Sequence, residues 1–495
     1  MPINTSLTVV SKTPQEVFEL GVGIAKTPTT FRATSQLIGR LDVEFLNNRK
    51  FSAKVGESIV FASTDSLAVV GVGLGEVTRI DLEGLRKAGA SLARSFCSTR
   101  SAVLMDDFVP KKLDFRQGAQ AFVEGILLAS YEFKKYKSKS DGEEATDSPK
   151  EIFLVSSQAP QLRAAVSRAI CLSDSVCIAR DLVNEPASSM TPQVFARTAS
   201  EYLQARGVEV EVWDEKRIAK EKLGGVIGVS KGSIEPPRFL TIKYGTGKTP
   251  IVLVGKGVTF DSGGLSLKTA SGMETMKTDM SGAACVVATI SCLAQLKAKV
   301  SVVGLVPLVE NMPSGSATKP GDVLKARNGK TIEVLNTDAE GRLILADALS
   351  IACELDPVVT IDLATLTGAC IVALGDRIAG IMGNDNQLIE ALKRAGDRSG
   401  EELWHLPLPS KYRKHIDSEI ADVKNVGASG GQAGTLTAGL FLQEFAPASK
   451  WAHIDMAGPA RSTIDEGVYK KGASGFGVRT LVDFISNYSQ TAKTR

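Results

Sequence analysis

Thr331-Ile332-Glu333-Val334-Leu335-Asn336-Thr337-Asp338-Ala339-Glu340-Gly341-Arg342-Leu343-Ile344-Leu345-Ala346-Asp347-Ala348-Leu349 decides how this chain is read. Thr331 to Leu335 has the composition of a strand, and Leu343 to Leu349 is apolar and helix-forming. The acids between them therefore fall at a strand-to-helix turn, where α/β proteins hold their ligands. Asp338, Glu340 and Arg342 occupy alternate positions. In an extended segment, alternate side chains share a face, so two carboxylates and a guanidinium would meet at one spot. A helix N-terminus favours acids on its own account. That explains one carboxylate or two, but neither the arginine nor a second acid cluster about 60 residues upstream.

Working outward, the chain alternates strand and helix patterns. Ser6 to Val10 and Leu67 to Val72 read as strands, and Asp81 to Phe96 and Arg116 to Leu128 as helices. These make a small α/β domain with no acid or histidine cluster, suited to assembly or gating. Lys137 to Lys150 is polar and reads as an exposed loop. Glu151 to Val155 is a strand again. Gln161 to Leu182 carries helical spacing, and Asn184-Glu185-Pro186 ends it. Further on, Phe239 to Tyr244, Ile251 to Gly255, Val300 to Leu305 and Val358 to Leu363 are short apolar runs, with helical patterns at Gly282 to Leu296 and Arg342 to Cys353. The fold class is α/β: two α/β domains joined by a long helix, the C-terminal one catalytic, with a largely parallel or mixed sheet flanked by helices. The expected division is 1–157, 158–185 for the helix, and 186–495. Gly245-Thr246-Gly247-Lys248-Thr249 ends like a phosphate-binding loop, but a strand follows instead of a helix, so it reads as a turn.

The 495 residues are 43% hydrophobic and 23% charged, with a net charge of +3. That balance is too mild to argue for nucleic acid or a membrane surface. No apolar run has the roughly 18 residues of a transmembrane helix, and Met1 to Thr5 shows no basic or apolar leader pattern. The seven cysteines form no CxxC and suit reduced thiols. A cytoplasmic location is expected. With three histidines, none spaced i, i+4, any metal site must be built mostly from oxygen.

The upstream cluster runs from Val254 to Gly282. Lys256 follows a buried strand, Asp261 sits among glycines, and Asp279 precedes a helix. Each has a plain explanation alone, Asp279 as a helix cap for example. Together they reach the carboxyl ends of strands, which converge on one crevice in an open sheet. Asp261, Asp279, Asp338 and Glu340 would then crowd together and repel. Divalent cations are the usual remedy, and two of them activate a shared water. The residues alone give a two-metal hydrolase, with nuclease, phosphatase and peptidase all open.

Asn336 to Leu343 resembles the signature of the leucyl aminopeptidase, or cytosol aminopeptidase, family. Val254 to Gly264, Met273 to Gly282, Asp362 to Ala369, Ile420 to Asn425 and Gly472 to Leu481 match further blocks of that family in order, so the resemblance covers about residues 160 to 485. It implies two divalent ions, manganese or zinc. Lys256, Asp261, Asp279 and Glu340 would hold the tighter one, and Asp261, Asp338 and Glu340 the exchangeable one. Lys256 as a ligand requires a neutral amine and a strongly lowered pKa. The resemblance makes Lys268 the donor to the scissile carbonyl and Arg342 the holder of a bicarbonate that acts as general base. It assigns Met276, Asn336, Thr365, Leu366 and Gly368 to substrate binding, leucine and other apolar residues being preferred. It further implies a homohexamer. The alternative is a moonlighting DNA-binding or regulatory member of the same family. Ser188 and Ser474 stand where the family often has Asn and Thr. His453 reads as structural, with no carboxylate pattern to recruit it.

Overall fold

The computed structural model describes residues 5–28, 30–32, 43–64, 67–138, 150–247, 249–427 and 431–491. Residues 139–149 of the polar run expected as a loop lie outside the described residues. The chain forms two compact units, one of residues 1–177 with 463–471, the other of residues 178–462 with 472–495.

In the first unit, five strands lie parallel in the order Thr5–Val10, Lys150–Val155, Arg100–Leu104, Glu19–Lys26 and Leu67–Glu76, with Ser58–Thr64 antiparallel beyond them. Helices Leu82–Ser95 and Phe115–Ala129 begin at Asp81 and Asp114, whose carboxylates accept the N–H groups of Gly84 and Gln117. The two helices cross where neither has a side chain. A Cβ on Gly89 would fall 2.1 Å from the Phe122 carbonyl oxygen, and one on Gly125 2.1 Å from that of Arg86.

Helix Ala159–Asn184 runs through both units, the division falling between Cys177 and Ile178. This differs from the expected boundaries at 157 and 185. The physical reason is burial: Leu162, Ala165, Val166 and Ala169 belong to the core of the first unit. Residues 463–471 also return to that unit, which no local pattern announces.

The second unit is built on a nine-stranded sheet. Its centre is four parallel strands in the order Val302–Asn311, Ile251–Gly255, Val359–Ala364 and Lys450–Asp455. They are buried on both faces almost throughout. Antiparallel neighbours flank them: Arg238–Tyr244 on one side and Ala379–Gly383 on the other. The Val302–Asn311 strand runs six residues past the expected end at Leu305, because Gly257–Asp261 pairs with its far half. Helices Ser281–Gln295 and Gly341–Glu354 are buried almost throughout. The strand leading into the acid turn, Thr331–Val334, belongs to a separate small sheet. It pairs antiparallel with Asp322–Lys325 and parallel with Val423–Lys424. None of the seven cysteines is in a disulfide. Among the described residues, no helix is long and apolar enough to cross a membrane.

Candidate active site

Lys256 leaves the end of strand Ile251–Gly255 with its backbone held on both sides. Its N–H donates to the Leu363 carbonyl at 3.0 Å, and its carbonyl accepts from Ala283 N–H at 2.8 Å. The side chain is buried, and its ammonium meets Asp279 Oδ1 at 2.8 Å, Glu340 Oε1 at 2.7 Å and the Thr365 carbonyl at 3.1 Å. Asp261 ends strand Gly257–Asp261. Its Oδ1 accepts from Gly263 N–H and Asn311 Nδ2, both at 2.9 Å, and its Oδ2 lies 2.8 Å from Lys268 Nζ. Lys268 also pairs with Asp338 Oδ1. Asp279 stands in the short 3₁₀ segment Met276–Met280 and is not a helix cap; its Oδ1 accepts from Thr365 Oγ1 at 2.7 Å.

The signature stretch is not extended. Asp338 N–H donates to Asn336 Oδ1 at 2.8 Å, closing a tight turn, and Glu340 already has helical backbone angles at the N-cap of Gly341–Glu354. The acids converge through this turn and not through strand alternation. Arg342 is buried in the first turn of that helix. Its Nη1 donates to the Asn425 carbonyl at 2.7 Å, its Nε has no partner, and it makes no ion pair among the described residues. Burial lowers its pKa to about 10, against the pull of Glu340 and Asp455.

Four carboxylates thus face two ammonium groups, and burial together with their mutual repulsion works against their charged forms. Burial, with Glu340 beside it, pushes Asp261 up to about 6. Burial also lifts Asp279 well above the usual carboxylate range and raises Asp338. Glu340 goes the other way: burial would raise it, but Lys256 holds it low. At Lys256 the protein's own charges act against burial. Burial alone would lower its pKa, but Asp279, Glu340 and Asp261 together raise it. Protein charges alone make it a counter-ion; a neutral amine requires added positive charge in the site.

The donor set fits divalent cations. Oxygens of Asp261, Asp338 and Glu340 come within 4.8 Å of one another. Asp279 Oδ2 is buried without a hydrogen bond, and Asp338 Oδ1 and Glu340 Oε1, buried too, each face a single lysine at ion-pair distance. Buried carboxylate oxygens left so are the chemistry a cation satisfies.

Of the residues assigned to substrate, Thr365 joins the cluster through both its carbonyl and its hydroxyl. Leu366 continues the same turn beyond strand Val359–Ala364 and packs on the core, and Gly368, exposed, opens helix Gly368–Leu374. Met276 is half-buried, three residues before Asp279. Asn336 spends its side-chain oxygen on Asp338 N–H. Sequence reasoning missed three supports. Asn311 ties Asp261 to the Thr337 carbonyl at 2.9 Å. Asp455 accepts from Thr367 Oγ1 at 2.6 Å and from Leu366 N–H at 3.2 Å. Asn425 holds the acid turn. A polar residue closing an apolar strand, as Asn311 and Asp455 do, was the available signal. His453 does have a carboxylate: its Nδ1 lies 2.5 Å from Asp362 Oδ1, and Trp451 Nε1 donates to Asp362 Oδ2 at 2.7 Å. The parallel register sets Asp362 beside His453, a pairing hidden by 90 residues of separation.

A buried, acid-rich cluster whose donors fit divalent cations, at the carboxyl ends of strands, has the make-up of a metal-dependent hydrolase. Comparison with known proteins names the group: the chain belongs to the cytosol aminopeptidase family, whose catalytic-domain profile matches residues 177–482 and whose N-terminal-domain profile matches 24–140. It is therefore an aminopeptidase by family. It is 44% identical over 489 residues to a probable cytosol aminopeptidase of Chlorobaculum tepidum, covering 95% of this chain and 93% of that one. It is 40% identical over 483 residues to one of Thermosynechococcus vestitus, covering 95% and 96%. Among solved structures, the bottromycin maturation enzyme BotP superposes with a TM-score of 0.86 at 33% identity, over 96% of this chain and 100% of that one.

Proposed function

We propose that this chain releases N-terminal residues, leucine and other apolar ones foremost, from peptides at a pair of divalent ions. The observation that carries the reading is the triangle of Asp261, Asp338 and Glu340 oxygens beside the Lys256–Asp279 pair. Lys256, Asp261, Asp279 and Glu340 hold one ion, and Asp261, Asp338 and Glu340 the other. Bound there, the ions supply Lewis-acid polarisation and a water acidic enough to attack. Manganese or zinc suits the site, and BotP, a structural relative, is known in complex with Mn.

The chain's own groups do the rest. Lys268, the less buried of the two lysines, aims its ammonium at the scissile carbonyl oxygen and stabilises the negative charge that develops there. The cluster has no histidine and no uncommitted carboxylate to serve as base. Arg342, buried with a free Nε, would hold a bicarbonate, which would supply the general base. Asp279, through its unpartnered Oδ2, receives the substrate's α-amino group. The Thr365 to Gly368 turn and Met276 line the side-chain pocket, and Asn336 orients the peptide backbone. We infer a homohexamer in the cytoplasm; the relatives' name, cytosol aminopeptidase, supports the location.

The test is leucine-anilide hydrolysis after exhaustive chelation, then with Mn²⁺, Zn²⁺ or Mg²⁺ restored, with Asp338→Ala alongside. Activity that disappears, returns with metal and is missing from the variant supports the reading. A metal-restored wild type that cleaves neither anilides nor dipeptides overturns it.

A further inference from the structure

The strand ladder between Thr331–Val334 and Val423–Lys424 pairs Ile332 with Val423 and Glu333 with Lys424. One more backbone bond follows, from Asn425 N–H to the Glu333 carbonyl at 2.9 Å. There the two chains part, one entering the acid turn. The Asn425 side chain then continues the ladder in place of backbone. Its Oδ1 accepts from Leu335 N–H at 2.9 Å and Asn336 N–H at 3.4 Å. Its Nδ2 donates to the Asn336 carbonyl at 2.7 Å and the Ala339 carbonyl at 3.3 Å. It is fully buried, and both of its amide hydrogens and its oxygen are used.

We propose that Asn425 is a positioning residue, whose amide fixes the turn carrying Asp338 and Glu340 and thereby sets how tightly that turn takes its divalent ion. The inference rests on the two-ion reading above. Asn425 grips the turn at both ends, at Asn336 and at Ala339, with Asp338 between them and Glu340 next in line. Its own carbonyl holds Arg342, so one residue registers two acids and the guanidinium. Only a carboxamide offers two donors and an acceptor on one short arm. Aspartate is the same size but turns an oxygen toward two carbonyls, and alanine leaves the turn's backbone groups buried and unpaired.

The other walls of the site are anchored elsewhere. Asp261 hangs on Gly263 N–H and Asn311, and Asp279 on Thr365 Oγ1 and Lys256. Loss of the Asn425 amide therefore loosens one wall only. The ion on Asp261, Asp338 and Glu340 draws two of its three carboxylates from that turn and is weakened most, while the ion on Lys256 and Asp279 shares only Glu340 with it and loses less. A residue that merely helped the fold would lower the melting temperature without separating the two affinities.

The experiment is calorimetric titration of Mn²⁺ into chelator-stripped, full-length wild type, Asn425→Ala and Asn425→Asp, with melting curves and leucine-anilide kinetics in parallel. The expected result is a loss of about tenfold or more in the weaker ion's affinity, the size typical of an outer-shell partner. The tighter ion, which shares only Glu340 with the turn, loses clearly less, and kcat falls more than KM rises. A folded Asn425→Ala protein with both affinities at wild-type values overturns the proposal. If alanine prevents folding, Asn425→Asp decides: wild-type affinities there overturn it, and selective weakening supports it. A wild type that takes fewer than two ions overturns the two-ion reading itself, which separates that failure from failure of the role given to Asn425.

Discussion

Gly341→Ala adds one methyl group between the two halves of the candidate site. A Cβ on Gly341 would stand 2.5 Å from Lys256 Cε and 2.7 Å from both its Cδ and Nζ. Carbon atoms rest about 3.5–4.0 Å apart, so something must move by roughly 1 Å. Lys256 has nowhere to go, since it is buried and its ammonium is bonded to Asp279, Glu340 and the Thr365 carbonyl. Overpacking of this kind costs about 1–3 kcal/mol. Losing one of the charged bonds costs about 1.5–3 kcal/mol more. Alanine returns about 1 kcal/mol through helix propensity. The net destabilisation is roughly 1.5–5 kcal/mol, concentrated where Lys256 meets Glu340. A displacement of about 1 Å at the reacting centre is worth on the order of 100-fold in rate. The assay is leucine-anilide kcat/KM with Mn²⁺ present, together with the Mn²⁺ affinity of the chelated protein. Gly315→Ala serves as control, because a Cβ there meets nothing within 4 Å. Gly341→Ala with the control's activity and ion affinity would show that Lys256 is not confined as described, and the reasoning would fall.

Other perturbations separate stability from chemistry. Asp347 is buried, and its two oxygens accept from Val226 N–H and Arg327 N–H, each at 2.9 Å. Asp347→Asn keeps one acceptor and sets an amide N–H against a backbone N–H. We expect a loss of about 1–3 kcal/mol in denaturant unfolding, and unchanged stability would refute the account. In the first unit, burial and then Asp106 push Asp107 up to about 7. The folded chain thus keeps a proton on Asp107 that the unfolded chain releases near 4. Its contribution to stability is full below about 4 and is lost as pH rises through about 7. Asp107→Asn should therefore melt like wild type at pH 4 and above it at pH 8; the opposite trend would reverse the sign of the shift. Gly89→Ala drives a Cβ to 2.1 Å from the Phe122 carbonyl oxygen. It should destabilise the first unit while leaving Mn²⁺ affinity intact, and a drop in that affinity would contradict the assignment of the ions to the second unit alone.

Local pattern carried most of the second unit into view. The run Ile251–Gly255 is a buried strand because it is apolar throughout, and Ser281–Gln295 is a buried helix for the same reason. The acids at their ends were legible because a charged residue just past an apolar run must sit at a sheet edge or a helix start. Geometry within the acid turn was not. Alternation suggested an extended segment, but Asn336 bonds to Asp338 N–H and Glu340 takes helical angles, so a turn does the work assigned to a strand. Side chain-to-backbone bonds of that kind compete with regular structure and have no period to detect.

The same physics explains why the supports of the site stayed hidden while its ligands did not. Asp261, Asp279, Asp338 and Glu340 stand out because four carboxylates near one another repel and call for cations. Asn425 and Asn311 are neutral, so nothing in the charge pattern points to them. Their work is done across 50 to 90 residues of sequence, with Asn311 reaching Asp261 and Asn425 reaching Leu335 and Asn336. Each satisfies backbone groups that a turn leaves unpaired, and a buried turn must satisfy them somehow. The requirement is visible in the sequence once the turn is known, but the partner is visible only in three dimensions. That asymmetry marks where mutational tests should go next: at the uncharged amides that hold the charged residues in register.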